Sequence, residues 1–412
     1  MAPTYDIDIF RLGWYSGVGA RRLMPTITRN GTNQPIPSPD PQFGTVEAVW
    51  TDPFVLSVPK DSSDPTDWPS GVYLAKLSAA VPGGFVASYI IFEVRDDSRG
   101  SDLLFQSSTN TFEAYNGWGG RSLYSHPRAF KVSYDRPYDT GFGAGQFFRF
   151  EYNMLRFLER EGYDVTYASD VDAHENPSLA LAHKGFLIVG HDEYWSSNTF
   201  DHLEAARSAG VSLGFFSAND GYWQERFESS TADKKPDRTI VCYKLDAPAL
   251  DPDAANPATA SLTTTAFRLP PVNRPEDTII GEMHDDSVGS NIHGDMVVTD
   301  ASDPIFQGTG LQNGSTLPGL VGNEIDRVFG ALPANETILA HSSVVDAVTH
   351  LSSFSDVTIS NFPSGATVFA AGTFQWSWGL DDDNFFSLHP VVTNPAAQQT
   401  TRNILKQFGA TH

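Results

Sequence analysis

Short runs that alternate apolar and polar side chains, interrupted by Pro, Gly and Asn, fill the chain from Tyr5 to about Arg95: YDIDIFRLGWY, GTVEAVW, FVLSV, GVYLAKL and SYIIFEV. Period-two alternation turns one face of each run toward a core, and the interruptions supply turns, so residues 1–97 are expected to form an antiparallel β-sandwich of immunoglobulin-like type. The first run begins at Tyr5 without a lead-in, and about five strands fall short of the usual seven or so. The expectation is a sandwich that lacks its first strand or receives one from elsewhere.

The polar segment DDSRGSD at 96–102 ends this texture. Beyond it DLLFQSS reads as a strand, GQFFRFEYNMLRFLEREG as an amphipathic helix with Phe147, Phe150, Met154, Leu155 and Leu158 on one face, and YDVTYAS as a strand. SLALAHK reads as a short helix and GFLIVG as a buried strand. SSNTFDHLEAARSAG is a helix opened by Ser and Asn and closed by Gly210, and VSLGFFSA is a further buried strand. Continuous apolar strands in a βαβαβ rhythm point to a mainly parallel sheet covered on both faces, in an α/β domain over 98–412. A Pro- and Asp-rich stretch at about 228–320 reads as an irregular insertion. The sheet is then expected to resume with TILAHSSV and TVFAAG before a closing helix, AAQQTTRNILKQFG.

A length of 412 residues suits two domains, and 40% hydrophobic with 19% charged residues is an ordinary folded composition. The formal charge of −23 repels polyanions, which argues against nucleic acid and anionic membrane surfaces as partners. The acidic residues are spread along the chain and read mainly as a solvated surface. No apolar run reaches the ~20 residues that span a bilayer, and MAPTYDIDIF lacks the blocks of a secretory signal. The chain is expected to be soluble, with the compartment open and the cytoplasm preferred. Its single cysteine, Cys242, excludes an internal disulfide or CxxC centre and reads as a buried, inert strand residue.

In open parallel sheets, ligands bind beyond the carboxyl ends of the strands. Four tips stand out: TNTFEAYNGWGG, HDEYW, ANDGYW and TFQWSW. His191, Asp192 and Glu193 at the second tip could shuttle protons or bind a metal; alternatively Asp192 caps the next helix and His191 is a hydrogen-bonded core residue. Tyr115, flanked by glycines, is either a ligand or a packed aromatic, and Tyr73 in GVYLAKL suits a strand core. Asn219 could hold an oxyanion, while Trp118, Trp195, Trp223, Trp376 and Trp378 could wall a pocket or simply pack. Glu324 and Lys244 are further candidates against a reading as exposed salt-bridge partners. No phosphate loop, GxGxxG or GxSxG elbow is present.

The segments YDIDIFRLGWYSGVGARR, WPSGVYLAKL, FEAYNGWGG, EYNMLRFLEREGYDVTY, VGHDEYW, FFSANDGYW and FAAGTFQWSWG together resemble the large subunit of N,N-dimethylformamidase and its relatives, across nearly the whole chain. The resemblance implies a sandwich followed by a class I glutamine amidotransferase-like α/β domain without the cysteine nucleophile, in whose place His191 stands. It also implies a mononuclear ferric iron held by two tyrosines and a glutamate, matched by Tyr73, Tyr115 and Glu193, with His191 beside them. Asn219, Lys244 and Glu324 match further polar groups of the site, although Arg238 lies close to the lysine position. Against the resemblance, the chain is expected to lack the family's extra N-terminal region, and nothing in it reveals the small partner subunit; a homo-oligomer is compatible with it.

Two phenolates and a carboxylate are hard oxygen donors that suit a trivalent ion. The resulting expectation is a hydrolase that cleaves a small, formamide-like amide with an iron-activated water, His191 serving as acid and base and Asp192 and the tryptophans lining the pocket. Two alternatives stay open: a non-catalytic or carbohydrate-binding module with an aromatic pocket, and a metal-independent hydrolase built on His191, Asp192 and Glu193.

Overall fold

Alternation at the N-terminus yields one antiparallel sheet in the computed structural model of the chain, which describes residues 2–58 and 68–412. Thr4–Leu12 pairs on one side with Gly71–Val81, whose other neighbour is Gly84–Val94. On its second side it pairs with both Ala20–Arg22 and Ile27–Asn30. Side chains part by parity, as a pleated strand requires. Val72 and Leu74, with Leu12 and Ile91, join the main core, whereas Ile7, Ile9, Tyr73 and Ala75 form a separate cluster with Trp68, Phe54 and Leu56.

Two expected strands do not form. GTVEAVW and FVLSV carry no ladder, so the described N-terminal residues make one sheet and not a two-sheet sandwich. The alternation of GTVEAVW is satisfied by another surface. Val46 and Ala48 are buried, and the segment lies along the α/β region, where the Ala48 amide donates to the Asp135 carbonyl at 2.7 Å and the Phe130 amide to the Phe43 carbonyl at 2.8 Å. The Glu47 carboxylate accepts from Ser230 and Thr231. Alternating hydrophobicity specifies a buried face without specifying what buries it.

A seven-stranded mixed sheet organises the rest. Its order is Glu336–Val345, Ser352–Asn361, Thr367–Ala370, Ser212–Ser217, Gly185–Gly190, Leu103–Ser107, Val165–Ser169. The last five run parallel, and Ser352–Asn361 runs against both of its neighbours, so Glu336–Val345 points the same way as the five. GFLIVG and VSLGFFSA are buried at every strand position, as their unbroken apolar runs demand. TILAHSSV and TVFAAG do join the sheet, separated by a strand, Ser352–Asn361, that had no counterpart in the sequence reading.

Helical expectations need three adjustments. The long amphipathic helix is broken into Gly145–Phe150 and Tyr152–Glu161 at Glu151, whose buried carboxylate accepts the Ser108 amide at 3.1 Å. SLALAHK forms only a 3₁₀ turn, Ala180–Ala182. The helix between those strands is instead Asp170–Glu175, opened by a reciprocal cap in which the Asp172 amide donates to Ser169 Oγ and the Ser169 amide to the Asp172 carboxylate. Ser197–Ser208 and Pro395–Gln407 form as read.

The two regions are fastened by buried polar contacts. Arg11 reaches both Glu159, at 2.6 Å, and the Ser70 carbonyl, at 2.9 Å. The Tyr167 amide donates to Ser70 Oγ at 2.9 Å, and Tyr152 OH to the Gly19 carbonyl at 2.6 Å. Among the described residues no helix is long and apolar enough to cross a membrane. Replacing Ser169 with Ala removes one half of the reciprocal cap and is expected to lower stability by about 1 kcal/mol. Chemical denaturation measures this, and an unchanged midpoint would show that the cap contributes nothing.

Candidate active site

Counted along the chain, the five parallel strands stand in the order 2-1-3-4-5 across the sheet. The order reverses between Leu103–Ser107 and Gly185–Gly190, and sheets of this kind take ligands beyond the carboxyl ends of the strands at such a point. Both strands deliver site residues there. Leu103–Ser107 leads into the short helix Thr109–Tyr115, which ends on Tyr115, and Gly185–Gly190 leads directly into His191, Asp192 and Glu193. Gly190 makes the exit possible: its φ is +81°, and a Cβ there would lie 2.5 Å from Phe150 Cβ.

The Glu193 carboxylate is the hub. Its Oε2 accepts from Tyr115 OH at 2.8 Å and from Tyr124 OH at 2.8 Å; its Oε1 accepts from Tyr124 OH at 2.6 Å and from the Trp223 indole N–H at 2.8 Å. The two phenol oxygens are 3.0 Å apart, and their rings stack at 4.2 Å. The Glu193 amide donates to Thr111 Oγ1 at 2.8 Å, and the Leu123 amide to the Ala114 carbonyl at 3.0 Å, so the helix is tied to both the strand exit and the Tyr124 loop. His191 Nε2 stands 3.5 Å from Glu193 Oε2 and 3.7 Å from Glu324 Oε2, its ring stacked on Phe374 at 4.2 Å.

Asn219 follows the fourth parallel strand with φ at +53°, a conformation asparagine tolerates better than most residues. Its amide donates to Asp326 Oδ1 at 2.8 Å, which aims Nδ2 at Glu324 Oε2, 2.6 Å away, and at His191 Nε2, 3.4 Å away. Glu324 arrives from the other direction, at the end of the hairpin formed by Ile292–Val297 and Thr316–Asn323. Lys244 is 4% exposed, with Nζ 3.2 Å from the centroid of the Tyr124 ring.

Burial governs the ionisation of these groups. It drives the His191 imidazole well below its ordinary value, with repulsion from His284 and Lys244 adding to the effect, so the neutral form is favoured. It pulls Lys244 down to about 8. Burial and then the Glu193 charge push the Glu324 carboxyl and the Tyr115 phenol upward.

The structure therefore unites Tyr115, His191, Glu193, Asn219, Lys244 and Glu324. Lys244 is buried and is not the exposed salt-bridge residue that the alternative reading allowed. Tyr73 is not brought here. It lies on the far parity of the N-terminal sheet, stacked on Trp68 at 5.2 Å, with its hydroxyl donating to the Pro69 carbonyl at 2.6 Å. The second phenol at Glu193 is Tyr124, in a loop between short elements that carries no strand-tip signature. Asp192 turns away from its neighbours, accepting from Gln106 Nε2 at 2.7 Å and from Trp195 Nε1 at 2.8 Å, so it neither shares the Glu193 group nor caps the next helix, a role Ser196 fills.

The tryptophans divide in the same way. Trp195, Trp376 and Trp378 are core residues with indole N–H groups on Asp192, Thr401 and the Arg149 carbonyl. Trp118 is half-buried in the turn after Tyr115, and Trp223 touches Glu193 itself. Cys242 is wholly buried, and burial raises its thiol to about 12, as an inert residue requires.

Among the described residues no three His, Cys, Asp or Glu side chains form a group that could hold a metal ion. What converges is different in composition: two phenols and one carboxylate, with Tyr115 OH, Tyr124 OH and Glu193 Oε2 separated pairwise by 2.8–3.0 Å. Oxygens bonded at about 2.0–2.1 Å to one small hard cation, at right angles, lie about 2.9 Å apart. The donor set fits such an ion.

Fold and site together define an α/β protein with an oxygen-rich, phenol-lined centre at the crevice where strand order reverses. The family model described as N,N-dimethylformamidase beta subunit-like, C-terminal, matches residues 6–390, and the chain belongs to that family. Membership suggests a dimethylformamidase-like hydrolase. No curated protein matches the chain.

The bond from Asn219 to Asp326 generates a pH prediction. Burial raises the Asp326 carboxyl from its ordinary 3.8 to about 7. The folded chain holds this proton over a range in which the unfolded chain releases it, so the contribution favours folding at low pH and is lost as pH rises from about 4 to 7. Asp326→Asn keeps the Oδ1 acceptor and is expected to flatten the stability profile across that range in denaturant unfolding. A variant with the parent's slope would mean that Asp326 is ionised in the fold.

Proposed function

We propose that the protein is a metal-dependent hydrolase that cleaves the C–N bond of a small, formamide-like amide, with a single ferric ion held by Tyr115, Tyr124 and Glu193. The observation that carries this reading is the convergence of two phenol oxygens and one carboxylate oxygen from three separate stretches of chain. Tyr124 takes the place that the resemblance had given to Tyr73. Three oxygen donors able to supply three negative charges suit a trivalent ion better than zinc or copper. When bound, the ion would supply Lewis acidity toward an amide carbonyl and make a water molecule acidic near neutral pH.

The chain's own groups account for the rest. His191, neutral and 3.5 Å from Glu193, accepts a proton at Nε2 from the attacking water and returns it to the departing amine nitrogen. Asn219 Nδ2 is aimed at the same space and donates to the oxygen that gains charge, a contribution of about 3 kcal/mol by comparison with other such donors. Glu324 fixes Asn219 through the 2.6 Å bond, and Lys244 places a cation against Tyr124 and close to the Glu193 charge. The 2-1-3-4-5 strand order, with the site beyond the carboxyl ends, supports reading the α/β region as amidotransferase-like.

Protein made in iron-supplemented medium is expected to carry close to one iron per chain and to hydrolyse small formamides. Chelation should abolish activity and ferric iron restore it. Tyr115→Phe and Tyr124→Phe should each lose iron and at least about 100-fold in rate, whereas Tyr73→Phe should keep both. Metal analysis beside a formamide assay decides the matter: an active, iron-free parent, or iron retained in Tyr124→Phe, would sink the proposal.

A further inference from the structure

Glu193 has two carboxylate oxygens, and their surroundings differ. Tyr124 OH bridges both, at 2.6 Å from Oε1 and 2.8 Å from Oε2, but Oε2 alone faces Tyr115 OH, at 2.8 Å, and His191 Nε2, at 3.5 Å, while Oε1 alone accepts the Trp223 indole N–H, at 2.8 Å. An indole nitrogen can only donate, and only along its N–H direction. Trp223 cannot follow a rotating carboxylate, because the residue is buried and its backbone is locked. The Trp223 amide donates to the Glu193 carbonyl at 2.9 Å, Trp223 sits opposite Tyr194 in a parallel ladder, and it bridges to Ala266 on its other side. Side chain and main chain thus hold Glu193 from the same residue.

Tyr124 is held in a related manner. Its hydroxyl receives a 2.8 Å bond from Tyr194 OH, and Tyr194 is fully buried among Ala114, Ile240 and Cys242. Tyr124 itself is 46% exposed and comes from a loop, so the buried Tyr194 hydroxyl joins the bonds to Glu193 and Tyr115 and the Tyr115 stack in holding its oxygen inward. Tyr194 and Trp223 face each other across one ladder rung, which makes that rung a shelf under both Glu193 and Tyr124.

We propose that Trp223 and Tyr194 are positioning residues: the indole holds Glu193 Oε1 back and so turns Oε2 toward the centre, and Tyr194 holds Tyr124 OH beside it. The inference rests on the site reading above, and it states that Glu193 engages an ion through one oxygen. Neither residue touches substrate in this scheme. Outer hydrogen bonds of this kind orient ligands and commonly account for about 10–100-fold in metal affinity.

Trp223→Phe removes the donor while keeping a ring, and Tyr194→Phe removes a single oxygen atom. Ferric iron affinity is expected to fall about 10–100-fold in each, and the phenolate-to-iron absorption band of the loaded protein to shift, at unchanged circular dichroism. In a crystal structure of metal-free Trp223→Phe, the Glu193 carboxylate should turn so that Oε2 leaves Tyr115. Parent-like affinity and band in both variants, with Glu193 unmoved, would overturn the proposal. If Trp223→Phe does not fold, Tyr194→Phe carries the test through iron affinity and the position of Tyr124. If the parent binds no iron, the functional reading fails, while the metal-free crystal structures still decide the orientation of Glu193.

Discussion

A carboxylate buried at the end of a parallel strand is the constraint on which the centre of this molecule depends. Glu193 is 4% exposed, and a charged carboxylate at that depth is tolerable only if its oxygens are occupied by donors. The chain supplies them from three directions: a helix end in Tyr115, a loop in Tyr124 and a ladder in Trp223. The donors' elements are themselves fastened: the Glu193 amide donates to Thr111 Oγ1 on the helix, the Leu123 amide ties the Tyr124 loop to Ala114 of that helix, and the Trp223 amide donates to the Glu193 carbonyl. The site is thus a consequence of satisfying one buried group, and the same donors that satisfy it are chemically suited to bind a hard cation.

The interior beneath the site extends this logic to a series of acids. Asp192 and Asp170 both accept from Gln106 Nε2, at 2.7 and 2.8 Å, and Asp220 accepts the Asp192 amide at 3.0 Å. Burial raises all three carboxyl groups, which favours neutral, hydrogen-bonded forms over a cluster of charges. Glu193 is surrounded differently, by phenols, an indole and a lysine, and that difference in neighbours separates a structural acid from a candidate ligand one residue away.

Much of the α/β region was legible in the sequence because its signals are local. GFLIVG and VSLGFFSA read as buried strands from unbroken apolar runs, and Ser196 and Gly210 marked the ends of a helix. Tip residues after such strands, His191, Glu193 and Asn219, could be named because a parallel sheet presents its strand exits on one edge. The Asp170–Glu175 helix was missed although Ser169 and Asp172 carry a capping signature, since the following apolar stretch drew the helix too far along.

The failures share a different cause. GTVEAVW alternates like a strand, yet its buried face is covered by loops of the other region, and alternation alone carries no record of what covers it. Tyr73 and Tyr124 were indistinguishable as phenols in a linear text: one lies on the wrong parity of a distant sheet, and the other is carried to Glu193 by a loop stacked on Tyr115.

By itself the sequence determined the periodicities, hence the buried parallel strands and the capped helices of the α/β region and the short polar motifs that stand at their ends. Only the tertiary structure decided which tyrosine, tryptophan and acid share one crevice. Convergence among residues far apart in the chain depends on strand order and loop path, which no local pattern encodes.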